Sequence, residues 1–399
     1  MMDYTRVVNK TIEDILSHPK KDQILRLWTE KEFRLTGIKK QKTDKDLETA
    51  TKEYLELIVP KPNAWIFSFA NTILRLMTWN NYTNWHVEGQ EYLEQLHDKT
   101  WVGIANHVAN ADHFPIGFKV YNAGYHIRKP PFFPSIVAGN NLFAEWKVEE
   151  GIKTYHHNNL KEWVMRAANA TILHRDFIDE KRWIKDNPQY GFVWKEFNKN
   201  ILIAGMNSQI YPEARRMRPD SSGTFIPPAF DYIIAANKIR PITGLLMRID
   251  YETPPDAERV VAGKERAMSV SLLDSLLESF KPNRWGEVCV QFLEPLPVGD
   301  MDNITFAREA EKKIWSATRI YATDAYAYAK MHFDNTEKGV AFVQEKFPKK
   351  NHGPSLQDTP DYVIDHALSL FEKYHHLTSK ELLLYFSRKV EIALKYVKE

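Results

Sequence analysis

Seven short apolar runs, at about residues 85–89, 100–106, 135–139, 170–174, 202–211, 240–250 and 286–294, alternate with longer segments of helical periodicity. Runs of this length bounded by turn residues read as strands, and strands that alternate with helices predict an α/β fold, a mixed sheet covered by helices. Proline-rich turns at Pro227-Pro228, Pro254-Pro255 and Pro295-Leu296-Pro297 punctuate the pattern. On the N-terminal side, residues 1–80 read as helices broken at Pro19-Lys20, Thr36-Gly37 and Pro60-Lys61-Pro62. Helical periodicity returns from about residue 300, as in Ala307–Phe333 and Asp361–Lys398. The chain of 399 residues therefore divides into an N-terminal helical region (1–80), an α/β domain (81–300) and a C-terminal helical extension (301–399). Lys346-Phe347-Pro348-Lys349-Lys350-Asn351-His352-Gly353-Pro354 reads as an exposed basic linker, because two prolines and a glycine break any regular element.

Directly after the apolar run Trp101 to Ala105 comes Asn106-His107-Val108-Ala109-Asn110-Ala111-Asp112, with a histidine and an aspartate five positions apart. On one continuous helix, five steps of about 100° would separate the pair onto different faces. The two meet if a strand ends near His107 and a helix begins near Asp112, and Pro115 suits a first helical turn. A carboxylate on one imidazole nitrogen fixes the tautomer and makes the other a stronger base, able to take a proton from a hydroxyl. Ala170-Thr171-Ile172-Leu173-His174-Arg175 reads as a strand leading to an arginine. Ile210-Tyr211-Pro212-Glu213-Ala214-Arg215-Arg216-Met217-Arg218 places three more arginines on a turn. Guanidinium forks suit phosphate or carboxylate, so the implied site pairs a base with an anion clamp.

In these blocks the chain resembles the glycerolipid acyltransferases, and among them the glycerol-3-phosphate acyltransferases more than the lysophosphatidate enzymes. Asn106 to Asp112 is similar to the family's NHxxxxD block, and Leu173-His174-Arg175-Asp176-Phe177 to its strand ending in arginine. Pro212 to Arg218 resembles the block of proline, glutamate, glycine, x, arginine, serine and arginine, and Arg240-Pro241-Ile242-Thr243-Gly244-Leu245 its strand with a proline near the start. Val137 to Phe143 also looks like the family's segment between the first two blocks, and order and spacing agree over roughly residues 85 to 295. The third block departs at Ala214 (usually glycine), Arg215 (glycine or threonine) and Met217 (commonly serine), so its local turn is expected to differ.

The resemblance implies acyl transfer from a thioester, either acyl-CoA or an acyl carrier protein, to the sn-1 hydroxyl of glycerol 3-phosphate. It assigns His107 as general base and Asp112 as its orienting carboxylate, with no covalent nucleophile and no cofactor. Arg175, Arg216 and Arg218 match family arginines and would bind the substrate phosphate. Arg215 would add to that clamp, and Glu213 would hold a substrate hydroxyl or orient an arginine. The same blocks would equally serve acylation of lysophosphatidate or another lysophospholipid. The altered Ala214-Arg215 pair also permits a non-catalytic lipid-binding relative.

Composition narrows the remaining classes. Net charge is +2 with 54 basic and 52 acidic side chains, which is no nucleic-acid footprint. The single cysteine, Cys289, lies in an apolar run and reads as a buried strand residue, so no disulfide forms within the chain, as suits a reducing compartment. His113 reads as a packing or surface histidine and His156-His157 as solvated loop; without further ligands at suitable spacing, no metal is expected. Met1 to Lys10 lacks an apolar signal core and no stretch reaches 18 uncharged apolar residues, so a cytoplasmic chain is expected. Ala64 to Trp79 has terminal tryptophans interrupted by Asn71 and Arg75, and suits either an interfacial helix at the inner membrane face or a buried packing helix. The basic segment near 346–354 would suit an acidic carrier protein or anionic lipid.

Overall fold

The computed structural model describes residues 4–26, 43–63, 65, 72, 84–108, 112, 134–139, 144–149, 152–157, 159–173, 188–213, 217–255, 257–261, 286–372 and 380–397. The strands among them are β1 (Asn84–Glu88), β2 (Thr100–Ala105), β3 (Ser135–Gly139), β4 (Ala144–Glu149), β5 (Ile152–His157), β6 (Ala170–Leu173), β7 (Ser208–Ile210), β8 (Ile242–Tyr251), β9 (Glu287–Phe292) and β10 (Leu296–Pro297). One sheet has the order β1-β9-β8-β2-β7-β3-β6, with β10 beside β8, while β4 and β5 pair as a separate antiparallel hairpin. Strands β8, β2, β7, β3 and β6 run parallel; β9 opposes β8, and β1 follows β9. The chain is thus mixed α/β with a mostly parallel sheet flanked by helices.

Beyond Thr100, β2 reads as an unbroken apolar run because both of its faces are covered. Alternate positions of β2 divide between two cores. Val102 and Ile104 join Leu246 of β8 and residues of helices α1 (Tyr4–Leu16), α2 (Asp44–Ile58), α5 (Pro188–Ile203) and α6 (Asp231–Asn237). Trp101 and Ala105 join Leu245, Met247 and Ile249, in a cluster that continues into the C-terminal helices. Two further short helices, α3 (Gln90–Glu94) and α4 (Asn159–Ala167), follow β1 and β5, and α7 (Ala257–Val261) follows β8. The C-terminal helices are α8 (Asn303–Ser316), α9 (Ala322–His332), α10 (Thr336–Lys346), α11 (Pro360–Phe371) and α12 (Lys380–Val397). Helix α9 packs against α10, α11 and α12, and α12 also packs against α7 and α8.

Several sequence expectations are corrected. The run 202–211 is not one strand: α5 continues to Ile203, Gly205 turns the chain at φ 84°, and only Ser208–Ile210 pairs in the sheet. Helical periodicity over Ala307–Phe333 covers two helices, separated where Thr318, Ile320 and Tyr321 bury themselves between them. His156 and His157 belong to β5 rather than a loop. The basic segment is not an exposed linker. Lys349 and Lys350 are exposed, but Asn351 is buried and its Nδ2 donates to the carbonyls of Ser316 (2.8 Å) and Thr318 (2.9 Å). Cys289 is buried in β9, as expected, and burial pushes its thiol up to about 12. Among the described residues no helix is long and apolar enough to cross a membrane. The interfacial candidate 64–79 lies outside the described residues apart from Trp65 and Thr72.

Gly89 makes the turn from β1 into α3 at φ 70°, and a Cβ there would come within 1.9 Å of the Phe292 carbonyl oxygen. Only glycine fits, since a left-handed conformation and a backbone clash coincide. Gly89→Ala is expected to lose roughly 2–5 kcal/mol of stability, read as a lower denaturation midpoint; an unchanged midpoint would contradict this packing of β1 on β9.

Candidate active site

The site forms where β2 ends. Asn106 is buried and prolongs the β2–β8 ladder with its side chain: Nδ2 donates to the Ile249 carbonyl at 2.8 Å, and the Ile249 N–H donates to Oδ1 at 2.8 Å. The amide imitates one more strand residue, so the backbone can turn away at His107 without leaving buried polar groups of β8 unpaired.

His107 and Asp112 meet, as they must if the chain turns where β2 ends; the helix expected from Asp112 lies outside the described residues. His107 Nδ1 donates to Asp112 Oδ2 at 2.9 Å; the imidazole is 21% exposed and the carboxylate is fully buried. Asp112 Oδ2 also accepts from the Val108 N–H at 2.6 Å, and Oδ1 accepts from the Tyr251 hydroxyl at 2.9 Å. With Nδ1 committed to Asp112, the basic lone pair of a neutral imidazole lies on Nε2. The ring stacks on Tyr211, centroids 4.5 Å apart, and the Tyr211 hydroxyl accepts from Gln209 Nε2 at 2.8 Å. Burial, reinforced by nearby Asp112, holds the Tyr211 phenol well above its ordinary range.

Past β7, the chain returns to the histidine at Met217. The Met217 N–H donates to the His107 carbonyl at 2.7 Å, and the Met217 side chain is buried in the core. Methionine at this departure from the family pattern therefore packs. Arg218, next in the chain, is half-buried, and its backbone N–H donates to Ser221 Oγ at 2.8 Å. Glu213 is partly exposed as a residue, yet its Oε1 is buried without a hydrogen-bond partner. Burial pushes the Glu213 carboxyl up to about 8; Arg248 and the His107 backbone N–H pull it down, and Asp112 and Glu311 push it further up. At neutral pH this carboxyl is mainly protonated.

Arg175, Arg215 and Arg216 lie outside the described residues, as does His113. Strand β6 ends at Leu173, on the same carboxyl edge of the parallel strands as His107 and Glu213. In open α/β sheets that edge is where ligands bind. Arg240, at the head of the fourth block, lies at the opposite end of β8, where its Nη1 donates to the Ile203 carbonyl at 3.0 Å. Among the described residues no group of histidine, cysteine and carboxylate side chains has metal-binding geometry.

Sequence reasoning did not anticipate Tyr251, Tyr211, or the buried pair Arg248 and Asp250. Arg248 Nη2 donates to Asp250 Oδ1 at 2.7 Å, and the guanidinium lies 4.2 Å over the Trp315 ring. Two opposite charges at i and i+2 inside an otherwise apolar strand were the available signal, because a buried charge needs a partner. Tyr251 had none, being 139 positions from Asp112. In comparisons with known proteins, the chain matches no family model and no curated protein sequence.

Glu213 also carries a prediction for stability. Its folded-state value of about 8 lies above its ordinary 4.5, so its contribution is full below the lower value and is lost as pH rises through about 8. Glu213→Gln is expected to remove that slope and leave the protein more stable than the unaltered chain at pH 9. Parallel denaturation curves from pH 5 to 9 in the two proteins would contradict it.

Proposed function

We propose that this chain is an acyltransferase that moves a fatty acyl group from a thioester to the sn-1 hydroxyl of glycerol 3-phosphate, giving lysophosphatidate. The observation that carries the reading is the contact between His107 Nδ1 and Asp112 Oδ2, 2.9 Å, at the carboxyl edge of a mostly parallel sheet. The imidazole is partly exposed, so a substrate hydroxyl can reach it while its orienting carboxylate stays dry.

His107 Nε2 takes the proton of the acceptor hydroxyl as its oxygen attacks the thioester carbonyl carbon. The tetrahedral intermediate collapses by breaking the carbon–sulfur bond. The departing thiolate then takes the proton back from the imidazolium, and the enzyme is regenerated without a covalent intermediate. Asp112 holds the tautomer and stabilises the transient imidazolium, as a buried carboxylate does for a histidine base. Arg218, with Arg175, Arg215 and Arg216, supplies forks for the phosphate dianion, which none of the apolar strand ends could neutralise. Glu213, uncharged at neutral pH, can face the acceptor without repelling that phosphate. The donor is acyl-CoA or an acyl carrier protein, since both present the same thioester to the base. Contact with a lipid surface, at the inner face of a membrane, would receive the product.

Thiol release from palmitoyl-CoA and from a palmitoylated carrier protein, with and without glycerol 3-phosphate, tests the proposal. Acceptor-dependent release that falls about 10²- to 10⁴-fold in His107→Ala is expected. Release that ignores the acceptor or survives the substitution would rule out His107 as the transfer base.

A further inference from the structure

The last residues of β8 serve two masters. Tyr251 projects to the side of the sheet where Asp112 lies and donates to its Oδ1 at 2.9 Å. Its chain neighbours, Asp250 and Glu252, bond the C-terminal segment instead, whose buried side chains share one cluster with Tyr251. Asp250 is buried and accepts from the Arg319 backbone N–H at 2.8 Å, with Lys389 Nζ of α12 at 3.6 Å. Lys389, itself buried, donates to Asp324 of α9 at 2.6 Å. On the other side, Glu252 is buried, and its Oε1 accepts from His366 Nε2 of α11 at 2.9 Å. Its Oε2 accepts from the Glu287 N–H at 3.1 Å, and its carbonyl from Thr323 Oγ1 of α9 at 2.6 Å. Tyr251 thus sits between two residues anchored by charged or hydrogen-bonded groups of the C-terminal helices, which themselves touch neither His107 nor Asp112 through any of these bonds.

We infer that His366, Thr323 and Lys389 are positioning residues for the His107–Asp112 pair, acting through Asp250 and Glu252 to hold the Tyr251 hydroxyl on Asp112. The C-terminal helices thereby set the geometry of the base. An off-axis Tyr251 leaves a buried carboxylate short of one donor, and the imidazole bond to it then adjusts, since side chains sharing one hydrogen-bond network couple. This role rests on the catalytic reading only for its consequence in turnover, because the coupling itself is a property of the folded chain.

The test is a double-mutant cycle on the full chain with His366→Asn and Tyr251→Phe, read by the solvent exchange rate of the His107 Nδ1 proton in NMR spectra. That resonance is assigned by its loss in His107→Ala. Each single substitution is expected to speed exchange roughly three- to tenfold, and the double variant to exchange no faster than Tyr251→Phe alone. Exchange unchanged in His366→Asn, or effects that multiply in the double variant, would overturn the inference. Thr323→Val, which removes only the bond to the Glu252 carbonyl, replaces His366→Asn under the same criteria if the latter does not fold. Where acyl transfer is measured alongside, kcat falls with KM unchanged in the His366 variant. Absence of acyl transfer with the exchange pattern intact would sink the acyltransferase reading and leave the coupling standing.

Discussion

A buried carboxylate organises this molecule. Asp112 has no exposure, and a lone buried charge would cost several kcal/mol, so the donors that meet it from His107, Val108 and Tyr251 keep it paired. Each comes from a different level of structure. Val108 belongs to the same loop, His107 to the end of β2, and Tyr251 to the neighbouring strand β8. Bonds to a charged acceptor contribute about 1.5–3 kcal/mol each. Together they fix Asp112 and Val108 against the sheet, and the imidazole is aimed as a result. The parallel pairing of β2 with β8, prolonged by the Asn106 amide, is what brings Tyr251 within reach.

The same strand end carries the C-terminal helices. Arg248 forks onto Asp250 beneath Trp315 of α8, and Lys389 of α12 lies close to Asp250 while bonding Asp324. Helix α12 also reaches the turn that follows the third block, since Arg388 Nε donates to the Ser221 carbonyl at 2.5 Å and the Arg218 N–H donates to Ser221 Oγ. One helix therefore braces both the end of β8, which bonds Asp112, and the turn at Arg218.

What the sequence made legible follows from the range of the interactions. Strands at 100–106 and 170–174 were readable because double-sided burial writes itself as a nearly continuous apolar run. His107 and Asp112 were readable because their partnership spans five residues. The run 202–211 misled because the apolar last turn of α5, Ile201-Leu202-Ile203, abuts the short β7, and the turn at Gly205 is invisible to periodicity. The basic segment misled because it is held by bonds from distant parts of the chain, the Asn351 amide to Ser316 and Thr318 and backbone bonds to Ile320. Tyr251 and Lys389 were out of reach for the same reason, as tertiary partners leave no local pattern. The departure at Met217 was visible, but only the core around it shows that the position serves packing.

Stability does not account for the charged cluster at the end of β8. Arg248, Asp250, Asp324 and Lys389 are all nearly fully buried. Burial lifts the Asp324 carboxyl to about 6 even against the pull of Lys389, so the cluster meets a desolvation cost that its pairing only partly offsets. Well-packed apolar side chains of similar volume often serve as well or better for stability in such places. What apolar contacts lack is direction. A guanidinium fork on Asp250 and a histidine on Glu252 fix the strand end in position and in twist, whereas a methyl surface tolerates sliding. A hydroxyl that must meet a carboxylate oxygen at 2.9 Å needs that directional hold, and Tyr251 lies between the two charges that supply it.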